Sequence, residues 1–66
     1  MSHRIIRLPD VKALTGLSRS TIYLRMSNKE FPSSISLGGR AVGWLEQDIY
    51  EWIVEKMEES RINDHG

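Results

Sequence analysis

No cysteine occurs in this chain, so disulfides and thiolate-held metals are excluded and side-chain packing alone must hold the fold. Histidine is almost as scarce: the 2 present, His3 and His65, sit near opposite ends and make a poor metal pair. No apolar run approaches the roughly 20 residues that a membrane-spanning helix needs. The first residues show no signal-peptide pattern, so a soluble, cytoplasmic protein with no membrane partner is expected. Linkers, internal repeats and low-complexity segments are also missing, and 66 residues leave room for one domain with one small core. An enzyme is not expected. The chain offers no nucleophile beside a base, no metal-ligand cluster and no phosphate-cradling loop, and its size leaves little space for a closed pocket. Cofactor, metal and small-molecule substrate are accordingly all expected to be absent.

An excess of one charge is missing too, with 9 basic and 9 acidic side chains. The balance is uneven along the chain, however. Arg4, Arg7, Lys12, Arg19, Arg25, Lys29 and Arg40 precede Trp44, against only Asp10 and Glu30. From Trp44 onward Lys56 and Arg61 face Glu46, Asp48, Glu51, Glu55, Glu58, Glu59 and Asp64. The halves therefore carry formal charges of +5 and −5, which fits a cationic face for a polyanion and an acidic face turned away. Two solvated faces that attract each other weakly would give the same counts.

What the chain does contain is ordered punctuation. Pro9 and Asp10 suit the first turn of a helix over about 9–15, since proline's missing N–H would be unpaired there and the carboxylate meets the positive helix end. Leu8, Val11 and Leu14 give that helix an apolar stripe. Gly16 is placed to end it in the left-handed conformation, and Ser18 to cap the next helix with its side-chain oxygen. Gly16-Leu17-Ser18 then forms a three-residue turn of the kind a helix-turn-helix uses. The second helix is expected over 19–28, with Ile22 and Met26 inward beside Leu17, and Arg19, Ser20, Tyr23 and Ser27 on other faces. Phe31-Pro32 stops the helical run. Ile35-Ser36-Leu37, a turn at Gly38-Gly39 and Ala41 to Trp44 predict a β-hairpin over about 35–44. Such a hairpin is marginal alone and must pack on the helices. Leu45, Ile49, Trp52, Ile53 and Met57 mark a third amphipathic helix over about 46–58, followed by a frayed tail at 60–66. Trp44 and Trp52 fall on apolar stripes and are expected in the core. The ordered core should cover about 5–58.

Helix, turn, helix, hairpin, helix is the order of a small winged helix-turn-helix, mostly α with one β-hairpin. The strings LTGLSRSTIY and FPSSISLGGRAVGWLEQDIYEW carry a resemblance to the AlpA family of prophage regulatory proteins. More distantly, they resemble the excisionase and MerR-type winged helices. The resemblance covers about Ile6 to Ile53. It implies binding to double-stranded DNA, with the second helix in the major groove and the hairpin on an adjacent groove or the backbone.

The physics of individual residues points the same way. A helix N-terminus presents free N–H groups and partial positive charge to a phosphate near Ser18, Arg19 and Ser20. Arg19 suits a guanine edge or a phosphate, and the hydroxyls of Ser20 and Thr21 suit phosphates. Tyr23 offers a ring to a thymine methyl and a hydroxyl to phosphate, while Arg25 and Lys29 suit the backbone. Gly39 and Arg40 complete the expected DNA-facing set at the hairpin tip. The function expected is transcriptional regulation of the prophage type, in the bacterial cytoplasm and on the nucleoid when bound, with self-association on DNA. An excisionase-like architectural factor directing recombination is the alternative within the same chemistry. A protein-interaction module working through the acidic third helix is the alternative from another class.

Overall fold

A computed structural model describes residues 3–62. Its elements run β1 (Ile5–Ile6), α1 (Leu8–Thr15), α2 (Arg19–Ser27), β2 (Ile35–Gly38), β3 (Ala41–Leu45) and α3 (Glu46–Ile62). The expected order of helix, helix, hairpin and helix is present. A short strand before the first helix joins it.

α1 begins where expected, with proline in its first turn and Asp10 beside the positive end. The carbonyl of Arg7 accepts from the N–H of Asp10 at 3.0 Å and of Val11 at 3.1 Å. Gly16 ends the helix at φ 73°, donating its N–H to the Lys12 carbonyl at 2.8 Å. Thr15 tightens this corner: its hydroxyl donates to the Val11 carbonyl at 2.7 Å and accepts from the Leu17 N–H at 3.3 Å. The corner is thus held from both sides, which fixes the angle at which α2 leaves.

α2 stops through a Schellman arrangement. The N–H of Glu30 donates to the Arg25 carbonyl at 2.7 Å, and the N–H of Lys29 to the Met26 carbonyl at 3.0 Å. The residue that takes the left-handed turn is Lys29, at φ 60°. Asn28, expected inside the helix, is its C-cap instead.

The sheet has the order β1-β3-β2 and is antiparallel throughout, with β3 at its centre. Ile5 pairs with Leu45 and Ile6 with Trp44 on one side of β3. On the other side Ile35 pairs with Gly43, Ser36 with Val42 and Gly38 with Ala41, so Leu37 is the extra residue of a bulge. The two-residue loop Gly39-Arg40 has positive φ at Gly39, 57°, as a type II′ turn requires at its first position. β2 is an edge strand and all four of its residues are exposed.

Ile6, Val11, Ile22, Phe31, Trp44 and Ile49 form the buried core, so every element except β2 contributes to it. Leu8, Leu17, Met26, Val42, Trp52 and Ile53 pack around it. Trp44 is fully buried. Trp52 stands edge-on to Phe31 with centroids 4.8 Å apart, and its indole N–H donates to the Glu30 carbonyl at 2.9 Å. That bond ties the end of α2 to α3. Leu14 and Met57, expected on the buried stripes, lie at the stripe ends and stay half exposed, at 38% and 50%.

α3 starts without a loop after β3, its first N–H donating to the Arg4 carbonyl at 2.8 Å beside an Arg4–Glu46 ion pair of 3.4 Å. The helix continues to Ile62, past the expected end near 58 and into the segment expected to fray. Arg61 in its last turn faces the negative helix end, and Lys56 pairs with Glu59 at 3.4 Å. The rest of the expected tail, 63–66, lies outside the described residues.

Candidate nucleic-acid interface

Ser18 caps α2 as its position after the glycine corner dictates. Its φ and ψ of −77° and 163° are extended, and its Oγ accepts from the Thr21 N–H at 3.2 Å. The Ser18 hydroxyl donates in turn to Thr21 Oγ1 at 2.9 Å and stands 3.4 Å from the Ser20 hydroxyl. The capping network therefore occupies Ser18 and Thr21, and Thr21 is half buried. Ser20 is exposed. The N–H groups of Thr21 and Ile22 are used within this turn. Those of Arg19 and Ser20 belong to the first turn, where a helix has no internal acceptor, and have no partner among the described residues. Two free amides and a helix dipole thus meet at an exposed corner beside a cation.

That cation is held in place. The Arg19 guanidinium carbon lies 5.6 Å from the centroid of the Tyr23 ring, one turn further on, a cation–π distance. Tyr23 in turn stands edge-on to buried Trp44, centroids 6.4 Å apart at 61°. Arg19, Tyr23 and Trp44 form a chain of contacts from the surface to the sheet. The sequence names Arg19 and Tyr23 separately; the structure couples them.

The remaining expected residues divide into two places. Gly39 and Arg40 are exposed at the hairpin loop. Arg25 and Lys29 flank a depression between the end of α2 and α3, whose other walls include Asp48, Glu51, Trp52, Glu55 and Lys56. Lys29 is exposed there, whereas Arg25 is half buried and its Nε is enclosed with no hydrogen-bond partner among the described residues. Arg25 is therefore turned toward the acidic helix more than toward the N-terminal corner of α2.

One residue of this surface is absent from the expected set. Leu24 is 61% exposed, on the outer side of α2. The signal was in the sequence: it follows Ile22 by two residues, about 200° around a helix of 3.6 residues per turn, and so faces away from the core. Attention to hydrogen-bond donors passes over an aliphatic side chain.

Among the described residues no group of three or more His, Cys, Asp or Glu is placed to hold a metal ion, and no helix is long and apolar enough to cross a membrane. Residues 4–57 match the family described as Prophage CP4-57 regulatory protein (AlpA). The chain is 44% identical over 54 residues to the uncharacterized protein ORF88 of Enterobacteria phage P4, covering 82% of this chain and 61% of that relative. It is 41% identical over 59 residues to the DNA-binding transcriptional activator AlpA of Escherichia coli (strain K12), covering 80% of this chain and 84% of that one. A matched span that runs from the strand before α1 into the body of α3, taking in the capped turn and the hairpin, means that the chain belongs to the AlpA family of prophage regulatory proteins.

Proposed function

We propose that this protein is a sequence-specific transcriptional regulator of the prophage type that binds double-stranded DNA, with α2 in the major groove and the β2–β3 loop on the adjacent backbone or groove. The observation that carries this reading is the first turn of α2. Unpaired amides, the Ser20 hydroxyl and an Arg19 guanidinium steadied over Tyr23 converge on one exposed corner. The Escherichia coli relative, described as a DNA-binding transcriptional activator, supports the same reading. On the DNA, Arg19 takes a base edge or a phosphate, Arg40 a phosphate at the loop, and Lys29 a phosphate at the far end of α2. In a bacterial host the protein works on the nucleoid.

One copy has limited grip. A bidentate base contact discriminates by about 1–3 kcal/mol, and non-specific binding typically sits at about 10⁻⁴–10⁻⁶ M. Site selection therefore calls for copies side by side on repeated sites. The acidic residues along α3, beside its exposed Tyr50, Val54 and Met57, offer a surface to the basic N-terminal half of a neighbour.

Duplexes selected from a randomised pool and titrated by fluorescence anisotropy test the DNA reading. Affinity is expected to fall steeply with salt, with a log–log slope of about −0.9 for each phosphate contacted. Arg19→Ala is expected to cost about 1–3 kcal/mol and to relax preference at one position. Arg40→Ala is expected to weaken all sequences alike and to lower the slope by about 1. A protein-interaction module would tolerate both changes and show little affinity for any duplex.

A further inference from the structure

The structure places a bulky aliphatic side chain where the proposed function puts DNA. Among the described residues Leu24 is the most exposed of the large apolar side chains, at 61%, and takes no part in the core or in the layer packed around it. Ser20 precedes it by four residues and Ser27 follows by three, so all three share one face of α2, and all three are exposed. The two serines are short, which leaves Leu24 standing proud of its neighbours. α2 contains no acidic residue and carries exposed Arg19 in its first turn, so the exposed face of this helix suits a polyanion rather than a basic protein surface.

We propose that Leu24 is a specificity-determining residue that reads a thymine through its C5-methyl group in the major groove. Of the groups that base pairs display in that groove, the thymine methyl is the apolar one, and a branched aliphatic tip is its natural partner. The hydroxyls of Ser20 and Ser27 on the same face suit phosphate oxygens, and Leu24 supplies a discrimination for the thymine methyl that neither a hydroxyl nor the Arg19 guanidinium provides. The inference rests on the reading of α2 as the DNA-contacting helix and adds to it one residue and one chemical group.

The test uses the highest-affinity duplex that the wild-type protein enriches from a randomised pool. Each thymine in turn is replaced by deoxyuridine, which removes the methyl group and leaves every hydrogen-bonding atom in place. Affinities of wild type and Leu24→Ala are then measured at one salt concentration. At one or two thymines the wild type is expected to lose about three- to fivefold, the worth of one methyl group taken out of water. Leu24→Ala is expected to bind the thymine and deoxyuridine versions of those duplexes equally. Because Leu24 lies outside the core, the variant should keep the wild-type melting temperature. Identical thymine-to-deoxyuridine ratios in the two proteins at every position would overturn the assignment while leaving DNA binding intact, and weakened self-association alongside those ratios would give Leu24 to a protein partner. A pool from which the wild type enriches nothing would overturn the DNA reading and this assignment together.

Discussion

At Lys29 the backbone sits at φ 60°, a left-handed conformation that glycine adopts freely and side-chain-bearing residues adopt at a cost of roughly 1–2 kcal/mol. The Schellman bonds from Lys29 and Glu30 hold it there. A cation kept at a strained helix end fits the phosphate contact proposed for Lys29. Lys29→Gly is expected to stabilise the fold by up to about 1 kcal/mol, a rise of about 4–8 °C in melting temperature, while lowering DNA affinity and the salt slope by about 1. Calorimetry and anisotropy on the same sample separate the two effects. Gly43 is the opposite case. A Cβ there would stand 2.5 Å from Ile5 Cγ2, 3.0 Å from the Ile6 carbonyl oxygen and 3.2 Å from Leu37 Cδ1, since strands pack against it from both sides. Gly43→Ala is expected to destabilise by about 1–3 kcal/mol, read as a lower urea midpoint.

Among the elements, α2 is short, with Ile22 its buried residue, so its ends matter more than its length. Ser18 both satisfies an N–H of the first turn and shapes the corner that would receive a phosphate. Ser18→Ala is expected to cost about 1 kcal/mol of stability, and to weaken DNA binding further than the melting shift explains, because the corner it shapes frays. Thermal melts alongside titrations well below the melting temperature distinguish the two contributions. α1, the glycine corner, the serine cap and the start of α3 are legible in the sequence because each signal lies within one turn of the residue it governs. β1 is not: two residues are too short for an alternating pattern, and their partners, Trp44 and Leu45, lie far along the chain. The side-chain directions of Arg25 and Leu24 divide similarly. Helix period alone turns Leu24 outward, whereas the burial of Arg25 depends on where α3 crosses the end of α2.

Across the whole molecule, zero formal charge conceals a dipole-like division between the basic chain before Trp44 and the acidic chain after it. The ion pair of Arg4 with Glu46 is one link between these halves. Under the proposed side-by-side binding, the exposed carboxylates of α3 meet basic residues of the next copy. A duplex with two sites is expected to bind the second copy more tightly than the first, and Glu51→Lys with Glu55→Lys to abolish that difference while leaving single-site affinity equal or higher. Sedimentation with one-site and two-site duplexes measures both quantities, and independent occupation of the two sites by the wild type would refute tandem association.

The order of helices and hairpin, the proline start and glycine end of α1, the serine cap of α2, the outward row of donors and the charge division all follow from neighbours within a few residues, and the chain determined them unaided. The third strand, the close fit of Gly43 beneath Ile5 and Leu37, the coupling of Arg19 through Tyr23 to Trp44 and the sheltering of Arg25 were decided only when distant segments met. Turn and cap energies are set by local backbone geometry, whereas strand pairing and side-chain burial depend on which surface arrives opposite, and no nearby residue encodes that.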